Sequence, residues 1–447
     1  MVVDYSKWDD LNTLSSEDEA VTKDAAAATP TLSVFEGHRG PEARERLENP
    51  RLGHERKPGV MVLAFADAST VVSGGADSKC RIWDARVGSE RLFDTSKRGV
   101  LAYAYNTIFS VSVARSRGIV ATAAGDGCLR CFDFETGESA AVYDSAGAYV
   151  LCSFSPDEQL CACGGFSGEM HVALVARIIL NKKYQLDKYR FDVEAFAARE
   201  SDESDEHRDR ASLSRFTTGS DVTALAWIDA TTAATVILSG AVVVWDAFSG
   251  VELHKIRVPE PGRDLDASIA ASPVEPLLAV CSDNQARLYR YEDENIGLDG
   301  PRLVPSASGY RITRLAFTPD GLLLATIEVN DKNLAVGRSF VSLYAVASGA
   351  LERTIDPGSG GPHSLLFVTC LAISTNGRRL AVGRGDARAL AYTLDTPASV
   401  VVEALLRRAA GASRVSLADD APRGLAALFR LVDDGKAAVA AYSASFL

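Results

Sequence analysis

Residues 51–92 read RLGHERKPGVMVLAFADASTVVSGGADSKCRIWDARVGSERL, and this stretch decides the fold. A Gly-His pair, Gly53-His54, precedes an alternating apolar run at 60–65. A second apolar run at 71–73 leads into a Gly-Gly-Ala-Asp turn, and Trp83-Asp84 follows. Alternation with a period of two indicates β-strands, and the glycine-rich segment indicates a tight turn. The stretch therefore predicts a small antiparallel sheet.

The same pattern recurs along the chain. Six further units of similar layout occupy 108–139, 150–175, 221–253, 268–293, 312–351 and 368–395. A period of about 40–50 residues, with four short strands in each unit, is typical of propeller blades. One such sheet cannot bury both of its apolar faces alone, whereas stacking around a ring buries them.

These units resemble WD repeats, with Trp83-Asp84 as the signature. The resemblance implies an all-β fold, a WD-repeat β-propeller. The seven units favour seven blades, or eight if the C-terminal hairpin from Gly424, turned at 433–435, forms a blade. We assign residues 31–447 to the propeller, with a charged insertion at 176–220, and residues 1–30 to a disordered acidic N-terminal tail.

The sequence also allows structural predictions for two segments that lie outside the repeat units. Residues 31–36, TLSVFE, look like an outer strand, and we expect them to complete the last blade and so remove free sheet edges. In the insertion, the alternation from Leu186 to Val193 predicts an extended outer strand. Its second half is charged, which predicts a solvated loop or, alternatively, a docking site.

In WD-repeat families, a His, a Ser or Thr, an Asp and a Trp of one blade join in a chain of hydrogen bonds. The resemblance implies that His54, Ser73, Asp77 and Trp83 fill these places in the first unit. His54 and Asp77 are then structural and not catalytic. The other units are divergent, since the tryptophan position is filled by Phe132, Tyr289, Tyr344 and Tyr392 in four of them.

Residues 71–86, VVSGGADSKCRIWDAR, carry a second resemblance. They are similar to the sixteen-residue box of WD-repeat proteins that act as substrate receptors of cullin-4-type ubiquitin ligases. In that family the closing arginine, here Arg86, engages the ligase adaptor, and a guanidinium suits this role because its planar fork makes directional, charge-assisted bonds. Most of the box is the WD repeat itself, so an ordinary blade with a surface arginine is the alternative interpretation.

The N-terminus, DYSKWDDLNTLSSEDE at 4–19, resembles the start of the kinase-specific heat-shock co-chaperone. Tyr5 and Trp8 lie in an acidic segment with no core to fill, and they suit a linear anchor that folds on binding. Ser15 and Ser16 each have an acidic residue three positions later, which fits phosphorylation by an acidophilic kinase. An inert acidic tail is the alternative.

Composition bounds the class of function. The chain has 47 Lys+Arg against 59 Asp+Glu, a net charge of −12, which argues against sequence-independent nucleic-acid binding. No apolar run is long enough for a membrane span, and the N-terminus lacks the features of a secretory signal. We therefore expect a protein of the cytosol or nucleus with reduced thiols. The eight cysteines lie in apolar runs and read as small buried hydrophobes.

Enzyme chemistry has little support in the sequence. Nucleophile-elbow, phosphate-loop and HExxH patterns are absent, and the six histidines are scattered. We predict no cofactor, no metal and no small-molecule substrate. The favoured function is a non-enzymatic scaffold or adaptor that binds other proteins. The ligase receptor and the chaperone-linked adaptor are sharper alternatives, and an enzyme using acidic residues in the channel is the last.

Overall fold

The computed structural model describes most of the repeat region. The described ranges are 31–38, 59–87, 90–93, 107–125, 127–137, 139–144, 149–166, 168–176, 212–258, 268–282, 284–292, 295–296, 302–329, 339–358, 367–402 and 404–405. The N-terminal tail at 1–30, His54, most of the charged insertion and the C-terminal hairpin lie outside these ranges.

The first half of the chain forms one early strand and three four-stranded antiparallel sheets. The early strand is β1 (Thr31–Phe35). Blade 1 contains β2 (Val60–Phe65), β3 (Thr70–Gly75), β4 (Cys80–Asp84) and β5 (Glu90–Phe93). Blade 2 contains β6 (Ile108–Ala114), β7 (Ile119–Ala124), β8 (Cys128–Asp133) and β9 (Ser139–Asp144), with a 3-10 turn at Arg115–Arg117. Blade 3 contains β10 (Tyr149–Phe154), β11 (Leu160–Gly165), β12 (Glu169–Leu174) and β13 (Ser212–Thr217).

The second half adds four more sheets. Blade 4 contains β14 (Val222–Trp227), β15 (Thr232–Ile237), β16 (Ala241–Asp246) and β17 (Glu252–Arg257). Blade 5 contains β18 (Ile269–Ala271), β19 (Leu277–Ser282), β20 (Gln285–Glu292), β21 (Asn295–Ile296) and β22 (Arg302–Pro305). Blade 6 contains β23 (Arg311–Phe317), β24 (Leu323–Val329), β25 (Ser339–Ala345) and β26 (Leu351–Ile355). Blade 7 contains β27 (Val368–Ile373), β28 (Arg379–Arg384) and β29 (Ala389–Thr393), together with β1.

The seven sheets form a closed ring around their first strands. Each first strand contacts the first strand of the next blade, and β27 of blade 7 returns to contact β2 of blade 1. The apolar clusters lie between neighbouring blades, and residues 323–328 of β24 are buried along their whole length. The predicted all-β propeller with seven blades is confirmed, because a ring whose first strands already meet has no gap for an eighth.

The N-terminal strand closes the ring, as the sequence predicted. β1 pairs antiparallel with β29, so the start of the chain supplies the outer strand of the last blade. The same strand also contacts blade 1: Ser33 Oγ donates to the Ala85 carbonyl at 2.5 Å, and the Phe35 ring stacks on Trp83 with centroids 4.8 Å apart. The strand β1 therefore contacts both blade 7 and blade 1, the two blades between which the ring closes.

The outer strand of blade 3 differs from the prediction. It is β13, whose Phe216 pairs with Met170 of β12, and not the alternating segment from Leu186 to Val193. That segment lies within 177–211, outside the described residues. The assigned insertion at 176–220 is therefore too long, since its last part is a blade strand and a connection. β13 holds this place because Phe216 packs on Trp245, 4.7 Å between ring centroids, and Ser214 Oγ donates to the Ala247 carbonyl of blade 4.

The ring has two faces, which we name by strand ends. At the upper face, the first strand of each blade begins and its second strand ends; the lower face is opposite. The chain leaves β29 at the lower face, and residues 398–402 are helical there. Val400 is buried against Leu323 and Ala345 of blade 6, so this segment covers part of the lower face. None of the described helices is long and apolar enough to cross a membrane.

Candidate functional site

A buried polar cluster occupies the upper end of blade 1. His38 Nε2 lies 2.8 Å from Ser73 Oγ, and its Nδ1 lies 2.8 Å from Asp77 Oδ1. Arg81 Nη1 donates to Asp77 Oδ2 at 2.6 Å. Because an ionised carboxylate only accepts hydrogen bonds, Nδ1–H donates to Asp77, and in the neutral imidazole Nε2 accepts from Ser73.

The histidine of this cluster is His38, whereas the sequence analysis placed His54 there. His38 lies three residues after the end of β1, and β1 runs beside blade 1. The imidazole of His38 therefore lies against Ser73 and Asp77. Residues 39–58, between His38 and the described start of blade 1, lie outside the described residues. The signal was present in the sequence: Gly37-His38 comes immediately after an outer strand, which is where a blade's Gly-His pair is expected.

The tryptophan is also not part of the hydrogen-bond chain. Trp83 is buried, and its Nε1–H finds no acceptor among the described residues. Its ring instead stacks on Phe35 of β1. The role implied for Trp83 therefore changes from hydrogen-bond donor to packing surface for the closing strand.

Ser73, His38 and Asp77 are arranged in the order of a hydrolase triad, but burial removes that chemistry. Ser73 is 0% and His38 1% exposed, so a substrate cannot reach the hydroxyl. Burial alone would raise the pKa of Asp77, yet the hydrogen bonds from His38 and Arg81 and the positive charge beside the carboxylate outweigh it and lower the pKa. The carboxylate stays ionised and holds the turn between β3 and β4.

Strand register identifies the equivalent position in every blade. Gly75 ends the second strand of blade 1, and a Cβ there would lie 2.3 Å from His38 Nδ1. Glycine therefore leaves the space that the imidazole fills. Aligning the strand pairings of the other blades with those of blade 1 gives the residues equivalent to Gly75. In blades 2 to 7 they are, in order, Ala124, Gly165, Ile237, Ser282, Glu328 and Arg384.

In blade 6, the side chain at this position is itself the centre of a polar cluster. Glu328 is 0% exposed and accepts a hydrogen bond from Tyr344 Oη at 2.6 Å and from Ser306 Oγ at 2.7 Å. Ser308 adds its backbone N–H at 3.1 Å and its hydroxyl. Burial would raise the pKa of Glu328, but these donors together lower it. The sequence analysis did not single out Glu328.

Blade 7 places an arginine at the same position. Arg384 is 6% exposed, and it donates to the Pro357 carbonyl at 2.9 Å and to Asp386 Oδ2 at 3.0 Å. Nearby, Arg388 Nε lies 2.8 Å from Glu36 Oε1, at the end of β1. The upper ends of blades 1, 6 and 7 are thus held by three different polar clusters, each satisfied mainly from within the fold.

Arg86, the proposed contact of the ligase box, lies on the lower face. Its side chain is 59% exposed in the turn after β4, and Nε donates to both oxygens of Asp84 at 3.0 and 3.1 Å. The hydrogen bond from Arg86 is the main reason that the pKa of Asp84 is lowered. Ser73, in the same box, is buried in the blade 1 cluster. Tyr5, Trp8, Ser15 and Ser16 lie outside the described residues.

Seven of the eight cysteines are buried and free, as predicted; the side chain of Cys128 is not among those described. Burial raises the pKa of Cys152 to about 12 and that of Cys370 to about 11. Four of the thiols share one apolar cluster between blades 2 and 3: Cys131, Cys152, Cys161 and Cys163. Protonated thiols in such surroundings pack as hydrophobes and are poor nucleophiles.

Comparison with known families agrees with the geometry. Residues 48–84 match the family model described as WD domain, G-beta repeat. The match covers the first three strands of blade 1 and ends at the Trp83-Asp84 signature. Together with the seven blades, it supports a WD-repeat propeller. No curated protein matches the chain.

Proposed function

We propose that the chain is a non-enzymatic scaffold that binds other proteins through the faces of its ring, in the cytosol or nucleus. One observation carries this proposal. The polar clusters at the upper ends of blades 1, 6 and 7 are buried within the fold, while other turns of the ring carry exposed side chains such as Arg86, Phe166 and Leu238. A rigid ring with varied exposed turns suits recognition of partners.

The test is capture of partners by the folded full-length chain. We expect a reproducible set of proteins to bind at about 0.15 M salt and to co-elute with the chain in a fixed ratio. The same chain, unfolded by heat and immobilised in parallel, should retain none of that set. Equal capture by the folded and unfolded chains would contradict a scaffold function.

A second candidate is a substrate receptor of a cullin-type ubiquitin ligase. Its support is the exposure of Arg86 at the lower face, at the end of the box-like segment. Capture with wild type and Arg86→Ala tests it, and Arg117→Ala is the matched control, since Arg117 is another exposed arginine of a lower-face turn. A ligase adaptor lost only with Arg86→Ala supports the receptor; its absence from all three samples rules the receptor out.

The chaperone-linked adaptor rests on the N-terminal resemblance alone. Deleting residues 1–20 removes Tyr5, Trp8, Ser15 and Ser16 and leaves β1 intact. Loss of chaperone components from the captured set would support this function. Their retention by the shortened chain would exclude the N-terminal anchor.

A further inference from the structure

The connection between blades 3 and 4 lies between two turns of the upper face. Thr218 donates its backbone N–H to the Gly168 carbonyl at 2.8 Å, and its hydroxyl lies 3.0 Å from the same oxygen and 2.7 Å from the Ser220 carbonyl. On the other side, the Asp221 carbonyl accepts a hydrogen bond from Leu238 N–H at 2.8 Å. The turn after β11, the connection 218–221 and the turn after β15 are therefore joined into one surface.

Two exposed apolar side chains flank this surface. Phe166 is 39% exposed and Leu238 is 44% exposed, and each is the first residue after the second strand of its blade. Single exposed apolar residues are ordinary on protein surfaces. Here two large ones occupy the same position in adjacent blades, on either side of one hydrogen-bonded connection, which makes a defined patch.

The charged residues of the patch itself are acidic, although the exposed Arg257 pairs with Ala241 just beyond the turn after β15. Asp221 lies in the connection between the two apolar residues, and no described residue donates a hydrogen bond to its carboxylate. Glu169 follows the first turn directly, and its Oε2 lies 3.8 Å from His171 Nε2. Residues 166, 168–169, 218–221 and 238–240 contain no lysine or arginine. A ligand that buries Phe166 and Leu238 and brings a positive charge to Asp221 complements this surface.

We propose that this patch is a docking site for a peptide segment of a partner protein that carries a large apolar residue beside a lysine or arginine. The apolar residue lies over Phe166 and Leu238, and the cation faces Asp221. This inference rests on the proposed scaffold function and names the class of partner segment and the part of the ring that binds it.

The experiment is selection of a displayed library of random twelve-residue peptides on the folded full-length chain. The binding of the most enriched peptide is then measured by fluorescence polarisation. We expect enriched sequences to place a lysine or arginine within a few residues of a large apolar side chain. The double substitution Phe166→Ala with Leu238→Ala should raise Kd about a hundredfold, since it removes the apolar surface that the peptide buries.

Two further variants test whether the effect is specific to the patch and whether it depends on the charge of Asp221. Phe248→Ala with Leu253→Ala is the matched control, because this Phe–Leu pair is exposed in blade 4 away from the patch, and it should leave Kd unchanged. Asp221→Asn should weaken binding about fivefold at low salt and less at high salt, as screening of an exposed charge requires. Circular dichroism of each variant checks that the ring is intact.

Three results would overturn the docking site: no enriched peptide, enrichment of acidic peptides, or equal loss of affinity in the patch and control variants. A wild-type dimer in sedimentation that the patch variant splits would assign the surface to a second copy of this chain and also overturn it. Failure of the scaffold function is distinguishable. If the patch variant still captures the wild-type set of partner proteins, the site is wrong and the scaffold stands.

Discussion

Blades 1 and 6 use different residues to connect the incoming segment to the upper end of the blade. Both place a polar cluster at the upper end, where the incoming connection meets the second and third strands. In blade 1, the incoming segment brings His38 and the strand leaves space with Gly75. In blade 6, the strand brings Glu328 and the incoming segment brings Ser306 and Ser308. The position is kept, but the incoming segment supplies the central side chain in blade 1, whereas the strand supplies it in blade 6.

The comparison shows why the repeats look so divergent in sequence. In blades 1 and 6 the buried polar groups between the connection and the blade must find partners, since a buried group without a partner costs about 1–3 kcal/mol. Either partner can supply the donor. A histidine requires glycine on the strand, whereas a glutamate requires short hydroxyl residues in the connection.

Removing the blade 6 carboxylate should have the largest effect. In Glu328→Ala, the buried donors of Tyr344, Ser306 and Ser308 lose their acceptor. We expect the free energy of unfolding of the ring to fall by about 3 kcal/mol or more. Urea unfolding followed by tryptophan fluorescence measures it. The control is Glu252→Ala, an exposed glutamate on an outer strand, and an equal loss in this variant would contradict the role of Glu328.

The blade 1 cluster should be next in size. His38→Ala leaves Ser73 and Asp77 without the imidazole, and we expect a loss of about 2 kcal/mol. His54→Ala is the informative control, because Ser73 and Asp77 already contact His38. Thermal unfolding of both variants shows which of the two histidines belongs to the cluster. Greater destabilisation by His54→Ala would restore the assignment made from the sequence.

Acid should weaken both clusters, since the pKa values of Asp77 and Glu328 are both lowered in the folded chain. A carboxyl whose folded pKa is depressed stabilises the fold fully above its unfolded value. This contribution is lost as the pH falls through the folded value. For Glu328 the loss begins below pH 4.5, its ordinary value. Unfolding midpoints measured from pH 7 to pH 3 should therefore fall on the acid side.

The same pH series, repeated on a variant, measures how much of the acid sensitivity comes from Glu328. Glu328→Gln cannot ionise, so we expect its unfolding midpoint to fall less steeply below pH 4.5 than that of the wild type. A variant as acid-sensitive as the wild type would place the lost stability elsewhere in the ring.

The smallest effect compares two tyrosines at one position of adjacent blades. Tyr344 Oη donates to Glu328 and accepts from Ala307 N–H, whereas the buried Tyr289 Oη has no partner among the described residues. Tyr344→Phe should cost about 1 kcal/mol, and Tyr289→Phe should be neutral or slightly stabilising. Thermal unfolding measures both. The reverse order would show that the hydroxyl of Tyr289 is satisfied.

The fold could be predicted because it depends on repetition. Seven alternating units at a regular period require stacked sheets, and the strand-like run at 31–36 had no other place than the open edge of the last blade. The outer strand of blade 3 was missed because Tyr189, Phe191 and Val193 alternate, whereas Ser212–Thr217 shows no regular apolar alternation. Only packing selects between them, through Phe216 on Trp245.

The polar clusters could be predicted only in part. Ser73 and Asp77 were found because they lie close to the Trp83-Asp84 signature. His38 was missed because the Gly-His pair nearer to β2 looked equivalent. Glu328 could not be found from spacing, since a glutamate in an apolar run gives no sign that Ser306 and Tyr344 will meet it. The patch at Phe166 and Leu238 depends on which apolar residues stay exposed, and this follows only from the finished ring.

Hydrogen exchange of the N-terminal strand tests ring closure most directly. The backbone amides of β1 pair with β29, so peptides covering Thr31–Phe35 should exchange as slowly as those of β28 and β29, and open together with them. Exchange of the β1 amides within seconds, while β28 and β29 stay protected, would show that the start of the chain does not close the ring.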